Sequence, residues 1–293
     1  MSSTRSFQVT VHPYKSPTRG SCAYEQGDTS SRHALVFIGG LTDGPHTTGY
    51  VRILSKALEE RRDLDYSVFE FRMRSSFQGF GTSSLKNDVD DLSSLVRYLR
   101  GIGREKIILM GHSTGTQDCM EYTNYVKHGN EPVDGFILQA PVSDRESLDD
   151  LFPTWRESLK HAENLIAEGK KDHLMPVDLV PQDLGAPMTA YRLWSLMAVG
   201  GDDDYFTSDL DDATVKRVWG RFEKPVLVLH SEKDEFVPSK VDLPALNQRY
   251  QDANPVVSKL SGLIPEASHA VQGDESRQWL SQRVQDFLQE IAG

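Results

Sequence analysis

The sequence predicts an α/β fold: a mostly parallel central sheet with an antiparallel amino-terminal edge, helices on both faces and a helical cap inserted past the middle. Three observations carry that expectation. Short apolar β-type runs alternate with segments of helical period, the first two runs have no helix between them, and residues 141–224 contain no convincing strand.

The first two runs, FQVTVH and CAYEQ, are joined by the turn-rich KSPTRGS and read as an antiparallel hairpin at one edge. ALVFI from Ala34, YSVFEF from Tyr66, KIILMG from Lys106, FILQA from Phe136 and PVLVLH from Pro225 are continuous apolar runs, the kind buried on both faces of a parallel sheet. After Tyr50, VRILSKALEERR sets Val51, Leu54 and Leu58 on one helical stripe. A second helix begins near Asn87, carries Val89, Leu92, Leu95, Val96 and Leu99, and ends at Gly101 and Gly103. In the strand-free interval 141–224, WRESLKHAENLIAEGK and YRLWSLMAV are helical, and Trp155, Trp194, Phe206 and Trp219 lie among many acids. That mixture suggests a lid with an apolar underside and a solvated top. VVSKLSGLIPEASHAV supplies one more strand and a loop, and from Asp274 the closing helix places Trp279, Leu280, Val284, Phe287, Leu288 and Ile291 at helical spacing. With no repeat and no Pro, Gly or Ser-rich linker, residues 1–293 read as a single domain with the cap inside it.

Composition narrows the classes. The chain has 293 residues, 38% hydrophobic and 26% charged, as globular proteins do. Lys and Arg number 32 against 43 Asp and Glu, so the net charge is −11 and the field repels polyanions; no nucleic acid is expected as a partner. The apolar runs are far shorter than the roughly 20 residues of a spanning helix, and no membrane is expected either. Two cysteines, Cys22 and Cys119, and an amino terminus without an apolar signal core suggest a reduced, cytoplasmic setting. No C-x-x-C or H-x-x-x-H spacing offers a metal site, and neither metal nor cofactor is expected.

The sharpest local signal is KIILMGHSTGTQ, a strand running through Gly111-His112-Ser113-Thr114-Gly115 into a helix-like TQDCMEYTNYV. In a nucleophile elbow the serine occupies a strained strand-to-helix turn and the flanking glycines leave room for that backbone. Ser113 is thus the candidate nucleophile, and a serine needs a base and a carboxylate to orient it. Asp234 follows a buried strand in PVLVLHSEKDEFVP, with Glu232, Glu235 and Glu266 as competitors; His269, one of nine histidines, sits before the closing helix. The order serine, acid, histidine is met. Gly39-Gly40 at the end of ALVFIGGLTDG allows an amide to turn toward the serine, so the oxyanion hole is assigned to the N–H groups of Leu41 and Thr114, with Gly40 as the alternative to Leu41. His112 reads as a packing residue and Cys119 as a buried one. The acidic DDDYFTSDLDD from Asp202 to Asp212 lacks the glycine and terminal glutamate of a calcium loop and reads as a solvated or helix-capping stretch of the lid. Arg72 and Arg74, beyond a strand end, could bind an anionic part of a substrate or pair with lid carboxylates.

With strand–GHSTG–helix, the D-x-x-x-P loop at Asp234 and the late His269 in order, the chain resembles an α/β-hydrolase along nearly its whole length. More narrowly, GGLTDG, SSFQGFGTSSL, LMGHSTGTQDCMEY, DGFILQAPVSDRE and GGDDDYFTSDL are similar to a largely fungal family formerly of unknown function (DUF1749-like), which includes esterases that open fusarinine-type siderophores. The resemblance implies Ser113, Asp234 and His269 as a triad, and a small-molecule ester as substrate. Any iron would arrive chelated in such a siderophore. A general carboxylesterase, thioesterase or lactonase, an acyltransferase, and a hydrolase-fold binding protein are the rival readings.

Overall fold

The computed structural model describes residues 6–292; residues 1–5, part of the stretch read for a signal, and Gly293 lie outside the described residues. The strands are β1 (Thr10–Pro13), β2 (Cys22–Gln26), β3 (His33–Ile38), β4 (Tyr66–Phe71), β5 (Lys106–His112), β6 (Gly135–Gln139), β7 (Val226–Ser231) and β8 (Gly262–Ile264). The α-helices are α1 (Val51–Glu60), α2 (Leu85–Gly101), α3 (Thr114–Tyr122), α4 (Tyr125–His128), α5 (Leu148–Leu151), α6 (Trp155–Ala167), α7 (Ala190–Met197), α8 (Asp212–Trp219), α9 (Leu243–Ala253) and α10 (Asp274–Ala292). No helix among the described residues is long and apolar enough to cross a membrane.

One sheet takes the order β1-β2-β4-β3-β5-β6-β7-β8. From β4 to β8 every pairing is parallel, while β1–β2 and β2–β4 are antiparallel, as the missing helix between the first two runs predicts. Strand β1 is shorter than FQVTVH: it pairs only from Thr10 opposite Glu25 to Pro13 opposite Cys22, and Phe7 is left exposed. A proline is tolerated there because β1 is an edge.

Alternation along the strands sorts the core into two faces. Val36, Ile38, Ile107 and Leu109 point to the face covered by α2, α3, α8 and α9, whereas Leu35, Phe37, Ile108 and Met110 point to α1 and α10. Helix α9 escapes the sequence reading, although Asp242 caps it by accepting from Ala245 N and Pro244 stands in its first turn, both ordinary start signals.

The interval between β6 and β7 holds no named strand and packs in two ways. Residues from Leu148 to Met197 form their own apolar cluster together with Phe80, and Leu41 leans on it. Tyr205 through Phe222 instead join the sheet-face core, where Trp219 is fully buried and stacked on Tyr250 at 4.1 Å. Phe206 and Trp219 therefore belong to the body of the molecule, while Trp155 and Trp194 stay half-buried. The acidic stretch divides likewise. Asp211 caps α8 through Thr214 N at 2.7 Å, but Asp203 is buried against Arg192 and so is not solvated.

Candidate active site

Parallel strands point their carboxyl ends to one edge of the sheet, and the crevice there is where such folds bind ligands. The loops after β3, β5, β7 and β8 carry Gly39 to Leu41, Ser113, Asp234 and His269 respectively. Backbone strain gathers at the same edge: Thr42, Ser113, Ala140, Glu266 and Val271 all have positive φ. Such conformations cost of order 1–3 kcal/mol each and persist where surrounding packing imposes them.

Ser113 lies alone between β5 and α3 with φ 52° and ψ −125°. The turn is possible because of the two glycines around it. A Cβ at Gly111 would stand 2.2 Å from the carbonyl oxygen of Gly115, and one at Gly115 would stand 2.3 Å from that of Ile38. Gly40 comes equally close, since a Cβ there would fall 2.7 Å from Ser113 Cβ. The β3 loop is thereby pressed against the serine.

Asp234 and His269 meet. The imidazole Nδ1–H donates to Asp234 Oδ2 at 2.8 Å and lies 3.0 Å from Oδ1, both residues being buried. A carboxylate only accepts, so the contact fixes the proton on Nδ1 and leaves Nε2 as the free ring nitrogen. Asp234 Oδ1 also accepts from Phe236 N at 3.0 Å. The competing acids are occupied elsewhere: Glu235 accepts from His269 N, Glu232 from Glu266 N, and Glu266 pairs with Lys233. No hydrogen bond joins the Ser113 hydroxyl to His269; the imidazole instead packs 4.9 Å from the ring of His112, the serine's neighbour. In ligand-free active sites such bonds are often long and tighten only with substrate.

His112 is held at 2.6 Å by Gln139, which also receives Tyr50 OH. Burial, and then the nearby His269, lower its pKa to about 4, so it stays neutral. Gly40 N–H donates to Asp43 Oδ2 at 2.9 Å. Thr114 N is the first amide of α3 and has no intrahelical acceptor, and Leu41 N has none among the described residues. Both residues line a cavity of about 10 Å³, on the order of one water, with Met73, Ser75, Phe80, Asp88, Asp118 and Arg192. A wider cleft of about 440 Å³ lies between α8 and α9, and no site residue borders it.

Arg72 and Arg74 are exposed while Met73 and Ser75 beside them face that cavity. Arg74 reaches Asp91 of α2 at 4.0 Å and Thr18, not a carboxylate of the 141–224 interval, and no contact joins either arginine to Ser113 or His269. Among the described residues no cluster of His, Cys, Asp and Glu could hold a metal ion. Sequence reasoning passed over Asp118 and Arg192. Asp118 could have been noticed as an acid one turn after Thr114 on a helix expected to be buried.

A family model described as "Protein of unknown function (DUF1749)" matches residues 1–289. Esterase AN6793 of Emericella nidulans is 31% identical, with 98% of this chain and 96% of that protein covered. Fusarinine C esterase sidJ of Aspergillus fumigatus is 29% identical, over 95% of this chain and 94% of that one. Among solved structures, the siderophore hydrolase EstB from Aspergillus fumigatus superposes with a TM-score of 0.83 at 29% identity, covering 99% of each chain.

Proposed function

The chain belongs to the DUF1749 family, and we propose that within it this protein is a serine esterase that opens ester bonds of a fusarinine-type hydroxamate siderophore, with Ser113, His269 and Asp234 as its triad. The support is the Asp234–His269 contact, made from two different loops at the sheet edge where Ser113 sits in its strained turn. Relatives named as a fusarinine C esterase and a siderophore hydrolase support the substrate class.

In this reading His269 Nε2 takes the Ser113 proton as the oxygen adds to the ester carbonyl, and the N–H groups of Leu41 and Thr114 receive the oxyanion. Asp234 holds the ring in the tautomer that leaves Nε2 basic. The imidazolium then protonates the departing alcohol. Water, deprotonated by the same nitrogen, releases the acyl group as a carboxylate and restores the serine. Iron enters as cargo bound to the substrate's hydroxamates.

The helices of residues 148–197 act as the cap, and the whole chain is one domain around it. Because the cavity at Leu41 and Thr114 has only the size of a water, a bulky ester requires that cap to shift. Arg72, exposed and without an ion-pair partner among the described residues, is the arginine this reading keeps as an anchor. The free thiols, half-buried Cys22 and buried Cys119, fit a reduced cytoplasmic setting.

An iron-loaded cyclic trihydroxamate ester, incubated with wild type and with Ser113→Ala and followed by chromatography, tests reaction and residue together. Wild type should yield linear and monomeric acids and the variant none. The small cavity also favours a second reading, an esterase for short acyl groups, and faster turnover of acetyl or butyryl esters than of the siderophore would replace the first reading by it.

A further inference from the structure

One strained residue at the site edge of the sheet has no part in the proposed reaction. Phe77 opens the short 3₁₀ helix Phe77–Thr82 with φ 58°, a conformation that a bulky side chain adopts only where its surroundings impose it. Its ring is 49% exposed, so core packing does not account for the strain. The neighbouring loop after β3 does. Phe77 N–H donates to the carbonyl oxygen of Asp43 at 2.8 Å, and the far end of the ring lies on Gly44. The fit is close: a Cβ at Gly44 would stand 2.2 Å from Phe77 Cζ, 2.4 Å from Cε1 and 2.7 Å from Cε2.

Asp43 closes the turn that carries Leu41. Its N–H donates to Gly40 O at 3.1 Å and its Oδ2 accepts from Gly40 N at 2.9 Å, so the two residues are tied in both directions with Leu41 and Thr42 between them. Thr42, with φ 67°, is a second strained residue in the same turn. Asp43 Oδ1 accepts from Thr47 Oγ1 at 2.7 Å, and a Cβ at Gly39 would fall 2.7 Å from Asp43 Cβ. A β-branched residue rarely holds such a φ unaided, so the turn needs support from outside. Phe77 supplies it from a fixed base. Gln78 Nε2 donates to Gly185 O and Thr189 N to Gly81 O, each at 2.9 Å, and Phe80 is buried in the apolar cluster of residues 148–197.

We propose that Phe77 is a positioning residue for the reaction: it clamps the Gly40–Asp43 turn at Asp43 and Gly44 and thereby holds the Leu41 amide where the oxyanion forms. The inference rests on Ser113 being the nucleophile and Leu41 an oxyanion donor. Phe77 touches no reacting atom and acts only through the turn, so its loss shows in kcat and not in KM.

The test variant is Phe77→Gly, which removes the ring and the strain together, since glycine holds a positive φ at no steric cost. Its Tm should stay within about 4 °C of wild type. On p-nitrophenyl acetate its kcat should fall about tenfold to a hundredfold with KM unchanged, the range expected for a misplaced oxyanion donor. Labelling of Ser113 by a fluorophosphonate, whose phosphoryl oxygen takes the oxyanion's place, should slow by a similar factor. Gly44→Ala should lower both rates from the other side of the contact. Added to Phe77→Gly, the same alanine should cost nothing more, because the ring it would strike is gone. If Phe77→Gly does not fold by circular dichroism, Gly44→Ala carries the test alone. Unchanged kcat and labelling rate in the folded variant, a change in KM alone, or a Gly44→Ala loss that persists in full in the double variant overturns the clamp and leaves the esterase reading standing. No turnover of p-nitrophenyl acetate or of the iron-loaded cyclic trihydroxamate ester by wild type, with no labelling of Ser113, overturns the esterase reading and this inference with it.

Discussion

At Ser113 the proposed chemistry depends on atoms that are missing as much as on those present. The hydroxyl can stand at the turn because Gly111 and Gly115 have no Cβ to meet neighbouring carbonyl oxygens. Gly115→Ala is therefore expected to destabilise the fold by about 1–3 kcal/mol, the usual cost of forcing an extra carbon into packed surroundings. It should lower kcat as well, because Ile38 O belongs to the strand that leads into the loop proposed to hold the oxyanion; a variant with unchanged kcat would separate that loop from the elbow. Asp234→Asn is expected to reduce kcat on the order of 10⁴-fold with little change in KM, since an amide in place of the carboxylate no longer holds the proton on Nδ1. Single-turnover measurements on a chromogenic ester would check it. The strained turn at Ser113 and the meeting of Asp234 with His269 were legible because motif order and strand placement point to them. The burial of Asp203 and the engagement of Arg74 by Asp91 were not legible, because they depend on which distant helix each side chain meets.

Among the elements, the interval between β6 and β7 departs most from its sequence reading. Its acids and aromatics suggested one lid, whereas α8 lies on the sheet and only the stretch from α5 to α7 keeps a core of its own. Trp219→Ala should accordingly cost about 3–5 kcal/mol in urea unfolding, as other emptied core sites do. Trp155→Ala, on half-buried α6, should cost about 1 kcal/mol. Equal costs would put both tryptophans in the same cooperative unit. Strands β3 to β7 were legible because continuous apolar runs have few other uses, and the antiparallel edge because no helix separates its strands. Helix α9 was not, since its buried face comprises Leu243, Leu246, Asn247 and Tyr250, a stripe diluted by a polar residue.

For the whole molecule, buried titratable groups act on stability in opposite directions. Burial pushes the Asp88 carboxyl up to about 7, above the ordinary unfolded value of about 3.9. Between those values the folded protein keeps a proton that the unfolded chain has lost, so this contribution is complete below about pH 4 and is lost as pH rises through 7. His112 and His230, lowered to about 4 by burial, contribute above about pH 6.5 and lose that contribution as pH falls through 4. Asp88→Asn stays neutral at every pH. Its Tm should gain on wild type by several degrees more at pH 8 than at pH 5, and equal shifts at the two pH values would mean that Asp88 ionises freely in the folded state.

Leu41 leans on the apolar cluster of α5 to α7 and, with Thr114, lines the small cavity beside the elbow. Lifting those helices to admit or discharge a large molecule would take that support away from the backbone around it. Entry and competence would then behave like a clutch, engaged only when the roof is seated. An open mouth would be disarmed, and stray esters that drift in without bringing the roof down would leave uncut.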